Sequence, residues 1–246
     1  MTIRKYRVIP AGLGVLALAL AGLPAQAEST DFDWIAIAYL WAADIGVDAR
    51  DRSVSVDFSD VVDKLEFGFQ GRVEAQQDDF GGFVDVIFMN VGDNSSRDFV
   101  DLNSDLDMTT MDLALVWSPG PERMTGFEVF GGLRYIDTDF GLVVDPIPPG
   151  PPETRVGLDS TFTDFLAGAR YIAPLSDRWR LTVTGDVSSG DSEGTWSLGA
   201  FAGYRTGVHH FIAGYRHFEM DFEAGRGDTV ATETFSGPLV AYGFSF

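Results

Sequence analysis

Hydrophobic and polar residues alternate with a period of two through most of the chain, over ten stretches at roughly 34–43, 66–76, 82–92, 106–117, 125–138, 158–171, 179–188, 194–205, 210–222 and 235–246. In the second, Phe67, Phe69, Val73 and Ala75 alternate with Glu66, Gln70, Arg72, Glu74 and Gln76. In the fifth, Phe127, Val129, Leu133 and Tyr135 alternate with Glu128 and Arg134, and in the seventh Leu181, Val183 and Val187 alternate with Arg180, Thr182, Thr184 and Asp186. Each stretch is near the ~9–11 residues with which a tilted strand crosses a bilayer. Beyond residue 27 no run of ~18 apolar residues exists from which to build a membrane-spanning helix.

The connections are unequal. Those after the second, fourth, sixth and eighth stretches are short (77–81, 118–124, 172–178 and 206–209), whereas most of the others are longer, reaching about 20 residues. Tight turns on one side and long loops on the other predict an all-β, antiparallel, up-and-down transmembrane β-barrel. With both termini in the periplasm the strand number is even; ten strands are expected, with eight as the alternative. In the first long loop, Phe58-Ser-Asp-Val-Val-Asp-Lys-Leu65 suits one helical turn capped by Ser59 or Asp60. In the third, Asp145-Pro-Ile-Pro-Pro-Gly-Pro-Pro-Glu153 predicts a stiff, extended tip.

The two ends carry address signals. Arg4, Lys5 and Arg7 precede an apolar run from Ala11 to Leu23, and Ala25 and Ala27 match the small-residue cleavage pattern of an export signal. Residues 1–27 are therefore expected to be a signal peptide and 28–246 the barrel domain. At the other end Val240, Tyr242, Phe244 and Phe246 share one parity, and the chain stops on the aromatic ring. This resembles the C-terminal signal read by the barrel assembly machinery of bacterial outer membranes. The hairpin containing Trp34, Tyr39-Leu-Trp-Ala42 and Phe58-Ser-Asp-Val-Val-Asp-Lys-Leu-Glu-Phe-Gly-Phe69 resembles a group of small Gram-negative outer-membrane barrel proteins. The resemblance implies a fold and a compartment, the outer membrane after export to the periplasm, and supplies no catalytic residues.

Composition narrows the reading. The chain has 246 residues, 45% of them hydrophobic, and a formal net charge of −20. Signal cleavage would remove three of 17 basic residues and none of 37 acidic ones, leaving −23. Such a surface cannot neutralise phosphates, so nucleic acid is excluded as a partner. Cysteine is absent, which removes disulfides, thiolate metal sites and Cys nucleophiles. Lysine occurs only at Lys5 and Lys64, and arginine is the better residue for a confined polar interior because its planar fork binds carboxylates bidentately. Trp34, Tyr39, Trp41, Trp117, Tyr135, Tyr171, Trp179, Trp196, Tyr204 and Tyr242 fall near segment ends, as aromatic girdles do.

Inward parity collects the acids Glu66, Glu74, Asp85, Asp112, Glu128, Asp164 and Asp186 and the bases Arg72, Arg134, Arg170, Arg180, Arg205 and Arg216. The lumen is thus expected to be nearly neutral and charge-paired, with the excess charge in the loops. Glu128 and Arg134 are six residues apart, as are Asp164 and Arg170, so one register sets Arg134 opposite Asp164 and Glu128 opposite Arg170. A symmetric next turn would oppose Arg170 to Arg180 and Asp164 to Asp186. A shifted register, or Glu128 shared between two arginines, is required there.

Three histidines restrict the catalytic options. His217, with Glu219 and Asp221, is the candidate acid–His arrangement for an outer-membrane hydrolase, protease or lipid A-modifying, at the extracellular rim. No flanking motif of the omptin proteases or the lipid A deacylases surrounds it. The loops are acidic: Asp44, Asp48, Asp51, Asp57, Asp60 and Asp63 in the first, and Asp93, Asp98, Asp101, Asp105 and Asp107 in the second. Asp101-x-Asn103-x-Asp105-x-Asp107 shares the start of a calcium loop but lacks its glycine and terminal glutamate. No metal site or cofactor is predicted within the protein, although divalent cations at the acidic loops are candidate partners. The leading expectation is a non-enzymatic barrel, either a narrow conduit for small solutes or an envelope structural component, partnered by outer-membrane lipid and lipopolysaccharide.

Overall fold

In a computed structural model the described residues are 32–49, 52–56, 65–97, 100–120, 124–146, 154–223 and 230–246. Both the proposed signal peptide with Ala25 and Ala27 and most of the proposed helical turn at Phe58–Leu65 lie outside them, as does the proline-rich stretch beyond Pro146.

Alternation does what it must when every second side chain is apolar: it builds strands. They are β1 (Asp33–Trp41), β2 (Asp44–Ala49), β3 (Arg52–Val56), β4 (Leu65–Gln77), β5 (Phe80–Arg97), β6 (Val100–Trp117), β7 (Gly126–Pro146), β8 (Thr154–Pro174), β9 (Trp179–Gly190), β10 (Gly194–Thr206), β11 (His209–Glu223) and β12 (Val230–Ser245). From β4 to β12 each pairs antiparallel with the next, and β1 pairs with both β4 and β12, which closes the sheet into a barrel. At the seam Trp34 and Phe246 exchange backbone hydrogen bonds of 3.2 and 3.1 Å.

The barrel has ten staves because β1 and β2 act as one. Trp41 lies opposite Leu239 and Asp44 opposite Ser236, so the register along β12 runs unbroken past Ala42 and Ala43. The Ala42 N–H donates to the Pro238 carbonyl at 2.8 Å. Gly237 makes this fit possible, since a Cβ there would stand 1.8 Å from the Ala42 carbonyl oxygen. β3 folds back on β2 as an extra hairpin.

On β6, Met111, Leu113, Leu115 and Trp117 are exposed on the outer face, while Met108, Thr110, Asp112, Ala114 and Val116 are buried. On β7, Phe127, Leu133 and Tyr135 face out and are followed on the same face by exposed Asp137 and Asp139. On β11 the switch comes after Tyr215, at His217, Glu219 and Asp221. The apolar outer band therefore runs over residues 111–117 of β6 and 127–135 of β7, near the ~9–11 residues of a tilted crossing.

Two expectations change. The second and third long loops are largely strand: β5 and β6 stay paired out to Arg97 and Val100, and β7 and β8 to Val144 and Thr154. Secondly, Tyr39 and Trp41 leave the girdle. Tyr39 is buried inside, donating to Asp85 at 2.6 Å, and Trp41 packs inward beneath Arg216, whose guanidinium lies 5.0 Å from its ring. Their odd positions on β1 point to the lumen. Trp34, Trp117, Tyr135, Tyr171, Trp179, Trp196 and Tyr242 are exposed outside.

Candidate functional site: the lumen

The turn end of the barrel, periplasmic in outer-membrane barrels, carries tight connections. Two of them, Asp78-Asp79 and Gly207-Val208, have only two residues, and Asp78 and Gly207 take the positive φ (50° and 61°) such hairpins use. The register these turns impose decides which charges meet inside.

In the β7–β8 register Glu128 lies opposite Arg170, and Arg134 opposite Asp164. Between β8 and β9 the register places Arg170 opposite Thr184 and Asp186 opposite Gly168, so like charges are kept apart. The four-residue turn 175–178 slides β9 relative to a symmetric hairpin.

Side chains then choose among several neighbours. Glu128 is fully buried and accepts from the Arg170 Nε and from Gln76 Nε2, the latter at 3.0 Å. Arg170 continues across the lumen to β4, four staves away, where Nη1 donates to Glu74 Oε2 at 2.8 Å. Glu74 also receives Arg72 Nε at 3.1 Å and Nη2 at 2.9 Å. Glu74, and not Glu128 as expected, is thus the carboxylate shared between two arginines. Gln76 completes the group by accepting the Met124 N–H at 3.0 Å, which ties the chain just before β7 to the interior.

Arg134 does not take Asp164 as its main partner. Its Nε and Nη2 reach the two oxygens of Asp112, each at 2.8 Å, and Nη2 lies 2.9 Å from Asp186 Oδ1. Nη1 donates to Thr195 Oγ1 at 2.7 Å. The fork is directed to Asp112, directly opposite on β6, because one flank offers a whole carboxylate bidentately. Asp164 is served instead by the β9–β10 turn: Ser188 Oγ at 2.8 Å, Ser192 Oγ at 2.6 Å and the Ser192 N–H at 3.0 Å.

Above Arg134 lies a layer that alternation did not foretell. Ala43, Met108, Ile136, Phe218, Met220 and Phe235 form a buried apolar cluster, with Trp41, Ile45, Met89 and Phe162 against it. All have inward parity or adjoin it, and the Arg134 guanidinium sits 5.3 Å from the Phe218 ring. Ion pairs and this cluster together fill the middle of the barrel. Beside the ion pairs, towards β9–β12 and β1, a cavity of about 220 Å³ remains.

A closed antiparallel barrel, apolar outside over one bilayer thickness and charge-paired within, has one setting. The chain is an outer-membrane β-barrel protein. No family model matches it, and no curated protein does. Among solved structures it is similar to the outer membrane protease OmpT from Escherichia coli, at 10% identity over 91% of this chain and 99% of that chain (TM-score 0.43). It is also similar to Ail, the attachment invasion locus protein of Yersinia pestis, at 11% identity over 87% and 98% (TM-score 0.40). A Pseudomonas aeruginosa FadL homologue matches at 9% identity over 87% and 90% (TM-score 0.39). None of these assigns an activity.

The remaining candidates fall elsewhere on the barrel. His217 faces outward at the upper edge of the apolar band, 4.5 Å from the Trp196 ring. Its Nδ1 lies 2.6 Å from Ser236 Oγ, while Nε2 is 3.8 Å from Glu219, whose carboxylate accepts the Trp196 indole N–H at 3.0 Å. Asp221 does not join this group and accepts from Thr232 at 2.6 Å. Ser236 was missed in the sequence because it is 19 residues from His217 and meets it only through the β11–β12 register. The Asp101–Asp107 run is extended strand in β6, without the turn a calcium loop needs. Among the described residues no three acidic or histidine side chains gather closely enough to hold a metal ion. Asp51, Asp57, Asp60, Asp63 and Asp98 lie outside the described residues. Val240, Tyr242, Phe244 and Phe246 stand exposed in a row on the outer face.

Proposed function

We propose that this protein is a non-enzymatic structural component of the outer membrane, a barrel whose lumen is shut and which does not act as a porin. The carrying observation is the Arg134 group with the apolar cluster around Ile136, Phe218 and Phe235 above it, while the bridge from β8 to β4 through Arg170 and Glu74 narrows the lumen below. A narrow conduit would need the Arg134 group and the apolar cluster to part. The expected result in a planar bilayer is no sustained porin-like conductance from the wild-type protein. Porin-like conductance, together with an Arg134→Ala variant of unchanged stability, would defeat the reading.

Export through the residue 1–27 signal, insertion by the barrel assembly machinery through Val240, Tyr242, Phe244 and Phe246, and contact with outer-membrane lipid and lipopolysaccharide belong to this proposal. So does the binding of divalent cations at the acidic extracellular residues.

One observation favours the rival, a rim hydrolase: the Ser236 hydroxyl lies within hydrogen-bond distance of His217. The order is the reverse of the usual one, with serine on Nδ1 and the carboxylate beyond hydrogen-bond reach of Nε2. Hydrolysis of lipid A or of peptide substrates that disappears in both His217→Ala and Ser236→Ala would establish the rival. Activity surviving in either variant would remove it.

A further inference from the structure

The lower lumen is lined unevenly. On the β4–β8 side it is filled by Glu74, Gln76, Glu128 and Arg170 and by the cluster of Phe83, Ala114, Val116, Phe130 and Leu166. On the opposite side the inward positions of β10, β11 and β12 carry Gly199, Gly203, Gly214, Gly237, Ala241 and Gly243, which contribute almost no volume. The cavity of about 220 Å³ occupies that side. Ile35, Ile37, Phe201, Ile212 and Leu239 make one apolar wall of it.

The charges around it are divided too. Each carboxylate lining the cavity is already engaged: Glu74 by Arg72 and Arg170, Asp85 by Tyr39 and Arg72, Asp112 by Arg134, and Asp186 by Arg134 and Ser197. Arg180 and Arg205 line the same cavity at its turn end and are not among the ion pairs of the described residues. Arg180 lies opposite Gly203, two residues before Arg205 on the same face of β10, so they are diagonal neighbours with Cα atoms about 7–8 Å apart. The Arg180 Cγ lies 3.1 Å from where a Gly203 Cβ would be, so its stem packs against Gly203. Arg205 spends its Nε on the Gly207 carbonyl at 3.2 Å, and its exposure places it at the mouth. His210, opposite Arg205, is held by Ser245 at 2.5 Å and adds no negative charge. Two like charges converge on an apolar chamber that opens beside them.

We propose that the periplasmic half of the lumen binds a small amphiphilic carboxylate, its carboxylate between Arg180 and Arg205 and its apolar body along Ile35, Ile37, Phe201, Ile212 and Leu239. Two guanidiniums suit one carboxylate, which accepts paired N–H donors in a plane, and the chamber, below the ~300–1,000 Å³ of pockets for drug-sized ligands, suits a short one. The inference goes beyond the structural role and does not depend on it, because a chamber beside the Arg170–Glu74 bridge can hold a ligand whether or not the apolar cluster above it parts.

The test uses the full-length mature barrel in lipid nanodiscs, titrated calorimetrically with octanoate, octanol and acetate after subtraction of empty nanodiscs. Octanoate is expected to bind at least about tenfold more tightly than octanol, which has the tail without the charge, and than acetate, which has the charge without the tail. The double variant Arg180→Gln, Arg205→Gln should lose that preference, leaving octanoate and octanol alike. Ala241→Phe, which fills the chamber without touching the arginines, should abolish octanoate binding, and it provides a second reading if the double variant does not fold. Equal binding of octanoate and octanol by the wild-type protein overturns the proposal. So does octanoate binding that survives Ala241→Phe, or a preference unchanged in a folded double variant.

Discussion

Arg134 is the single side chain on which most of the interior depends. It is almost wholly buried and holds Asp112 bidentately, Asp186 and Thr195. Removing one partner of a buried pair leaves the others charged and uncompensated, at a cost of about 3–5 kcal/mol. Arg134→Ala should therefore lower barrel stability by that order in reversible urea unfolding from lipid vesicles. An Asp→Ala change at exposed Asp137 or Asp139 should move it by less than about 0.5 kcal/mol. Arg134→Lys is expected to behave more like alanine than like wild type, since an ammonium cannot present the parallel donors Asp112 accepts. The partners of Arg134 were only half legible in the sequence. Its parity and its position opposite Asp164 follow from spacing, but Asp112 and Asp164 flank it symmetrically, and side-chain geometry made the choice.

Among the elements β12 carries the most constraint, since it pairs with β11, β1 and β2. Gly237→Ala would drive a methyl into the Ala42 carbonyl and force β1 and β2 out of register with it. The expected outcome is less heat-modifiable, membrane-inserted protein on a detergent gel, with Gly237→Ala worse than Gly131→Ala, where the nearest atom is 3.5 Å away. Deleting Phe246 should also reduce insertion, both by removing the terminal aromatic of the proposed assembly signal and by cutting the Trp34–Phe246 backbone pair at the seam. Normal insertion after that deletion would dissociate the signal from this residue. The β5–β6 extension should be dispensable by contrast. Asp93 and Ser104 are paired, so replacing residues 94–103 with a two-residue turn is expected to leave a heat-modifiable barrel.

At the scale of the whole molecule, the chain's excess negative charge does not reside in the lumen, where arginines and carboxylates compensate each other. Unboiled protein should migrate anomalously on a detergent gel, since a closed barrel has no free edge from which to unravel. The class of fold, the ten staves and the face of most strand residues, Tyr39 and Trp41 excepted, were present in the sequence. A period of two with apolar stretches of bilayer length admits few other solutions, and side-chain parity is a local property of extended backbone. What local pattern could not supply was everything that depends on two strands at once. The slide of β9 against β8, the meeting of His217 with Ser236 and the bridge from Arg170 to Glu74 all follow from turn geometry and barrel closure. Alternation also concealed the apolar layer around Ile136, Phe218 and Phe235, because an inward phenylalanine and an outward one look alike until the strands close around a common axis.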